Sequence, residues 1–244
     1  MSTSDRKQRE IHQREEMLLN LARTMLIDEG FTGLTLERLA EASEYSKGTI
    51  YQHFSAKEDL IAALANQSAA VRFSLHKRAS LFPGKTREKI VALIVADELF
   101  SLLHPHHFRS ELIIRMANLQ TRASSSRMEK MQDIEGHTVE LVLGIVNEAF
   151  VDGNLSPAPW CTPEIITFGL FSLVVGSQLG HLNFCDMIQR LGITQSNPAI
   201  RQNVETYLDG LGWKPLRSQW DYDLTAQRVR KEVFADDFQR LGNA

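Results

Sequence analysis

Two cysteines in 244 residues, Cys161 and Cys185, are too few for a disulfide framework, and with no signal-like leader the expected compartment is a reducing cytoplasm. No phosphate-binding glycine loop, no G-x-S-x-G turn and no Cys–His pair in a catalytic setting occurs, so an enzyme is not expected and no cofactor is called for. Strand-like alternation and internal repeats are missing as well, which leaves an all-helical fold. A formal charge of −3 excludes a histone-like, sequence-blind DNA binder. Residues 165–185 carry no Asp, Glu, Lys or Arg, and that length would admit a membrane span. Thr167, Ser172, Ser177, Gln178, His181 and Asn183 interrupt the segment, and Glu164 and Asp186 flank it in place of basic anchors, so no membrane partner is expected. Burial between its own domain and a second subunit fits better, with Gly169, Gly176 and Gly180 allowing close approach.

What is present is concentrated between Thr35 and Leu60. Thr35 caps a helix whose Leu36, Leu39 and Ala40 fall at helical spacing, and Ser46 caps a second whose Ile50 and Phe54 lie four apart. Ser55, with Glu58 three residues on, reads as a capping box opening a third helix before Leu60. Two short helices joined by a tight turn make a helix-turn-helix. The first turn of the second helix carries Ser46, Lys47, Gly48 and Thr49, with Tyr51 and His53 beyond, a set of donors suited to phosphates and base edges. A merely solvated polar face has the same composition, and the residue chemistry alone leaves both readings open.

The longer pattern distinguishes them. Ala22, Gly30, Phe31, Thr35, Leu39, Ala40, Ser46, Gly48, Thr49, Ile50, Tyr51, His53, Phe54, Ser55, Lys57, Glu58 and Leu60 resemble the N-terminal signature of the TetR family of bacterial transcriptional regulators. The resemblance implies a three-helix DNA-binding domain joined to a larger helical ligand-binding and dimerisation domain. It assigns phosphate contacts to Thr35, Tyr51 and Lys57 and sets Lys47, Thr49 and His53 nearest the bases, with Ser46 and Gly48 completing the DNA-binding set. It further implies a homodimer on a pseudo-palindromic double-stranded operator and a small-molecule effector. One position departs from the family: Glu44 stands where glycine is usual, at a turn residue expected to be left-handed. Residues 1–60 hold 8 Lys and Arg against 11 Asp and Glu, so DNA affinity has to come from local placement. Arg6, Lys7, Arg9 and Arg14 form either a flexible arm toward DNA or a solvated tail.

The expected division is 1–66 for DNA binding, 67–211 for ligand binding and dimerisation, and 212–244 as a C-terminal extension. Pro83-Gly84, Pro105 and Pro157 mark helix ends, while Ser126 with Glu129 reads as a capping box. Phe100, His104, Met116, His137, Leu141 and Phe171 are the candidate effector-pocket residues. His104, His106 and His107 straddle a helix break and are not expected to hold a metal. In the extension, Trp213, Trp220 and Tyr222 are expected to pin a link, followed by one amphipathic helix from Leu224 to Leu241. The function expected is a sequence-specific regulator, a repressor under effector control. The alternative is a DNA-bound adaptor that recruits another protein.

Overall fold

The computed structural model describes residues 3–116, 123–193 and 196–242, and among these every regular element is a helix. Two compact units emerge, and each is discontinuous in sequence: residues 1–71 with 104–135, and residues 72–103 with 136–244.

In the first unit, α1 (Thr3–Gly33) buries Leu18, Leu19, Ala22, Met25 and Leu26, a stripe at helical spacing. Gly30 breaks it with φ 71, a conformation that glycine adopts without a Cβ penalty. The basic N-terminal segment is part of this helix and not a flexible arm, with Arg6 paired to Glu10 one turn on. Thr35 caps α2 (Leu36–Ser43) by accepting the Arg38 N–H at 3.2 Å, and Ser46 caps α3 (Lys47–His53) by accepting the Thr49 N–H at 3.1 Å. Between them Glu44 is left-handed, φ 58, and its N–H bonds the Glu41 carbonyl. Ile50 and Phe54 are fully buried in one cluster with Leu36, Leu39, Leu60 and Leu64.

Both capping boxes are corrected. The helix α4 (Lys57–Ser80) starts from Ala56, whose carbonyl accepts the Leu60 N–H, and the Ser55 N–H goes to the Asp59 carboxylate at 3.2 Å. The start lies one residue later than the box requires, so the acceptor is Asp59 and not Glu58. Likewise α7 (Ser125–Val151) begins from Ser124, whose carbonyl accepts the Arg127 and Met128 N–H groups.

Against α1 packs α6 (Pro105–Met116), which is why the unit is discontinuous. Arg23 on α1 is buried and donates to Ser68, Gln67 and Leu64 of α4 and to Ser110 of α6. Burial lowers its pKa to about 10, with Glu111 pulling the other way.

The second unit is built around α5 (Thr86–Leu103), which is buried along most of its length. Against it lie α11 (Tyr222–Glu232) and α12 (Ala235–Gly242), two helices where one was expected. The chain turns at Val233–Phe234 because Phe234 is fully buried there, and the first of the two starts from Asp221, so Leu224 is exposed. Arg87 of α5 is fully buried and donates to Asp209 at 2.6 Å and to the carbonyls of Trp213, Pro215 and Glu205. The Trp213 indole donates to Thr86, Lys85 lies 4.4 Å from the Trp220 ring, and Tyr222 covers the Arg87 guanidinium. The link is pinned by the three aromatics as expected, and the extension is part of this unit's core.

Also here, α8 (Pro163–Asn183), capped by Thr162, packs on α10 (Ser196–Gly210), and a short α9 (Cys185–Arg190) connects them. A Cβ at Gly169 would strike the Tyr207 side chain, so glycine permits this approach, whereas Gly176 and Gly180 face open space within the chain. By length and composition α8 could cross a membrane, and little of its apolar window is buried.

Candidate nucleic-acid interface

The second helix of the expected helix-turn-helix is α3. Lys47, Gly48, Tyr51 and Gln52 are exposed, and the spacing i, i+1, i+4, i+5 places them on one face. Ile50 and Phe54 hold the opposite face in the core. Ser46 Oγ stands 2.9 Å from Thr49 Oγ1 while also accepting the Thr49 N–H, so the two hydroxyls form a small fixed group at the helix N-terminus. Among the described residues Gly48 has no steric reason: an added Cβ would meet Ser46 Oγ at an ordinary 3.7 Å.

Tyr51 donates to Glu37 of α2 across 3.1 Å. The bond and the carboxylate's charge raise the phenol's pKa, so it stays a donor. In Glu37 the same bond acts in reverse: its own backbone N–H, then Tyr51, hold the carboxyl below its ordinary range. Thr35 is half-buried with its oxygen committed to the cap. Lys57 is half-buried too. It donates to the Phe31 carbonyl and lies 4.0 Å from the Phe31 ring centre, and burial lowers its pKa, opposed by Glu58.

His53 is the correction. Its side chain is only 5% exposed and turns toward Glu15 of α1, Nδ1 to Oε2 3.4 Å, away from the face that carries Lys47 and Gln52. Sequence reasoning missed Gln52, although its i+4 spacing from Gly48 was the available signal. It also missed Arg127 and Asp59, which come from outside the motif or from a core-facing position.

The profile of the bacterial regulatory proteins of the tetR family matches residues 18–64, the segment that forms α2, α3 and their supports. The repressor KstR2 of Mycobacterium tuberculosis is 22% identical over 153 residues, 63% of this chain and 74% of that protein. The repressor AcnR of Corynebacterium diphtheriae is 41% identical over 61 residues, 25% of this chain and 32% of its own. Residues 18–64 are those of a tetR-family N-terminal segment. The chain is a DNA-binding transcriptional regulator, as these relatives are. The TetR fold is also that of the solved ketosteroid transcriptional regulator KstR2 of M. tuberculosis, with TM-score 0.58, 18% identity, and coverage of 81% of this chain and 94% of that one. A tetR-family regulatory protein from Rhodococcus RHA1 aligns with TM-score 0.60 at 14% identity, covering 82% and 97%.

The candidate effector residues of this chain are dispersed. Phe100 is fully buried, Leu141 is half-buried and Phe171 is 47% exposed, all in the second unit, while half-buried His104 belongs to the first. His137 is exposed on α7, stacked 6.0 Å from Phe73, and so is not a polar point within a buried stripe. Ile134, Thr138 and Leu141 around it are half-buried, while His137 is exposed at the edge of that stripe. The Met116 side chain lies outside the described residues. Beside Phe100 the second unit holds a polar cluster that the sequence did not reveal. Arg72 of α4 donates to Asp97 of α5 at 2.7 Å and to Gln178 of α8 at 3.0 Å, and His76 Nε2 stands 2.9 Å from the same Asp97 oxygen. Burial pushes the Asp97 carboxyl up, but Arg72 and then His76 outweigh it and hold the carboxyl well below the usual range. A shallow groove of about 380 Å³ lies elsewhere, lined by Arg217 to Asp223.

Proposed function

We propose that this regulator is a homodimeric repressor that reads a pseudo-palindromic operator with α3 and whose affinity is set by a small organic effector. The observation that carries the reading is Gly48. A glycine inside a seven-residue helix costs about 1 kcal/mol relative to alanine, and no side chain or backbone atom among the described residues requires it. Close approach of a DNA backbone to that turn supplies the reason. Lys47, Thr49 and Gln52 then face base edges, where a glutamine amide can pair with adenine and a lysine with guanine. Ser46, Thr35, Tyr51 and Lys57 serve phosphates. One of the three Lys57 donors is taken by Phe31, which leaves two.

Dimerisation is supported by α8, where Ile165, Phe168 and Phe171 form an exposed apolar row. A two-fold pair presents two copies of α3 about one DNA turn apart. Effector control is supported by the cluster of Arg72, His76, Asp97 and Gln178 beside Phe100, in which the buried Nδ1 of His76 has no partner among the described residues. Such a group suits an apolar ligand carrying one polar end. The working place of an operator-bound repressor is the cytoplasm, and its action involves no covalent step.

Selection of bound sites from a random duplex library, at stated salt and with Tyr51→Phe as control, tests the reading. Enrichment of a pseudo-palindrome is the expected result. Failure to enrich any sequence in the presence or absence of candidate effectors favours the adaptor alternative.

A further inference from the structure

A seven-residue helix is too short to be stable alone, and its last carbonyls have no partners within it. In α3 the carbonyl of His53 accepts a hydrogen bond at 3.1 Å from Arg127, a residue of α7 that lies 74 positions away. The same guanidinium donates twice to Glu15 of α1, both bonds 3.1 Å. Its Nε stands 3.2 Å from the Asp59 carboxylate of α4, and its carbon lies 5.3 Å from the Phe54 ring centre. A single planar fork therefore touches α1, α4 and the C-terminal end of α3, where a cation also complements the helix dipole. Its surroundings fix it in turn. Glu15 uses its second oxygen on His53, and Asp59 also accepts the Ser124 hydroxyl at 2.6 Å and the N–H groups of Ser124 and Ser55. Asn66 of α4 donates to the Arg127 carbonyl at 2.8 Å, and Met131, one turn further along α7, packs on the core of the reading unit.

We propose that Arg127 is a positioning residue for operator recognition, holding α3 at a fixed angle to α1 and α4. Its role in DNA binding rests on the reading of α3 as the recognition helix; its grip on α3 does not. The helix that carries Arg127 is unbroken to Val151, and its Ile145, Val146 and Ala149 are buried. Any event that shifts the first turns of α7 along its axis changes the grip on His53 and so the pose of α3.

The test uses the full-length chain with Arg127→Met, which keeps the length but removes the fork, and Arg127→Lys, which keeps the charge but cannot bridge three acceptors. Amide hydrogen exchange of residues 50–54 in the free protein is read first. The expected result is at least tenfold faster exchange in Arg127→Met, and a smaller increase in Arg127→Lys, with cooperative unfolding retained. Unchanged exchange in Arg127→Lys, or in a folded Arg127→Met, overturns the proposal whether or not the protein binds an operator. On the selected operator, the positioning role predicts a 10- to 100-fold loss of specific affinity with unchanged binding to random duplex and an unchanged salt slope. A salt slope lower by about one, with both duplexes weakened equally, overturns it in favour of a direct phosphate contact. Failure of the wild-type chain to select any operator overturns the recognition-helix reading, and the exchange measurement still decides whether Arg127 holds α3.

Discussion

The Tyr51 hydroxyl donates to the Glu37 carboxylate across 3.1 Å, so α2 orients an exposed aromatic of α3. Reaching a phosphate requires the phenol to exchange or share this bond, and its charge-assisted partner makes that exchange costly. Tyr51→Phe is expected to weaken operator and random duplex alike, by about 3- to 10-fold, about the worth of one such bond. Lys57→Ala is expected to do the same and to lower the salt slope by about one, whereas Lys47→Ala and Gln52→Ala also change the preferred sequence. Filter-binding titrations over salt, on operator and scrambled duplex, check all four.

Gly48 sets stability against function. Gly48→Ala adds a Cβ into ordinary contact distance, so the variant is expected to unfold later, by up to about 1 kcal/mol in urea, and to bind the operator less well. Tighter binding by the alanine variant would remove the close-approach argument.

Arg87 ties the C-terminal extension to α5. Arg87→Ala removes a donor from the carbonyls of Trp213, Pro215 and Glu205 and from the Asp209 carboxylate, while Pro215 keeps the Tyr222 hydroxyl and Asp209 the Arg217 N–H, and a loss of about 1–3 kcal/mol is expected. Limited proteolysis with trypsin should then cut first after Arg217, in the released link.

His107 contacts Ser68 at 3.3 Å, and burial first, then the charge of Arg23, lowers its pKa from the ordinary 6.5 to about 4. Between those values the unfolded chain binds more protons than the folded one, so stability rises with pH in that window. On acidification from about 6.5 toward about 4 the protein is expected to lose stability, with a smaller loss in His107→Asn. Urea midpoints at several pH values measure the slope.

Phe168 is 70% exposed in the single chain. If α8 meets a second copy, Phe168→Glu buries a charge there and should convert a dimer to a monomer in sedimentation, with operator affinity reduced at least 100-fold. An unchanged dimer would move the interface to another face.

What was legible in the sequence is what neighbours in the chain encode. Thr35 and Ser46 cap through bonds that span three residues, Gly30 and Glu44 take left-handed angles at turns, and Ile50 and Phe54 share a face because four residues make about one turn. Even here a single-residue shift in a helix start moved the acceptor from Glu58 to Asp59.

The sequence by itself determined the all-helical class and the tetR-like segment of residues 18–64, because caps, turns and helical periodicity act within one or two turns of chain. Only the tertiary structure decided that His53 turns inward and Gln52 outward, that Arg127 grips the end of α3, that Arg72, His76, Asp97 and Gln178 converge, and that the extension covers α5. Those outcomes depend on which surfaces are buried together across long separations. A lone arginine, histidine or aspartate carries no periodic mark of the partner that will desolvate it.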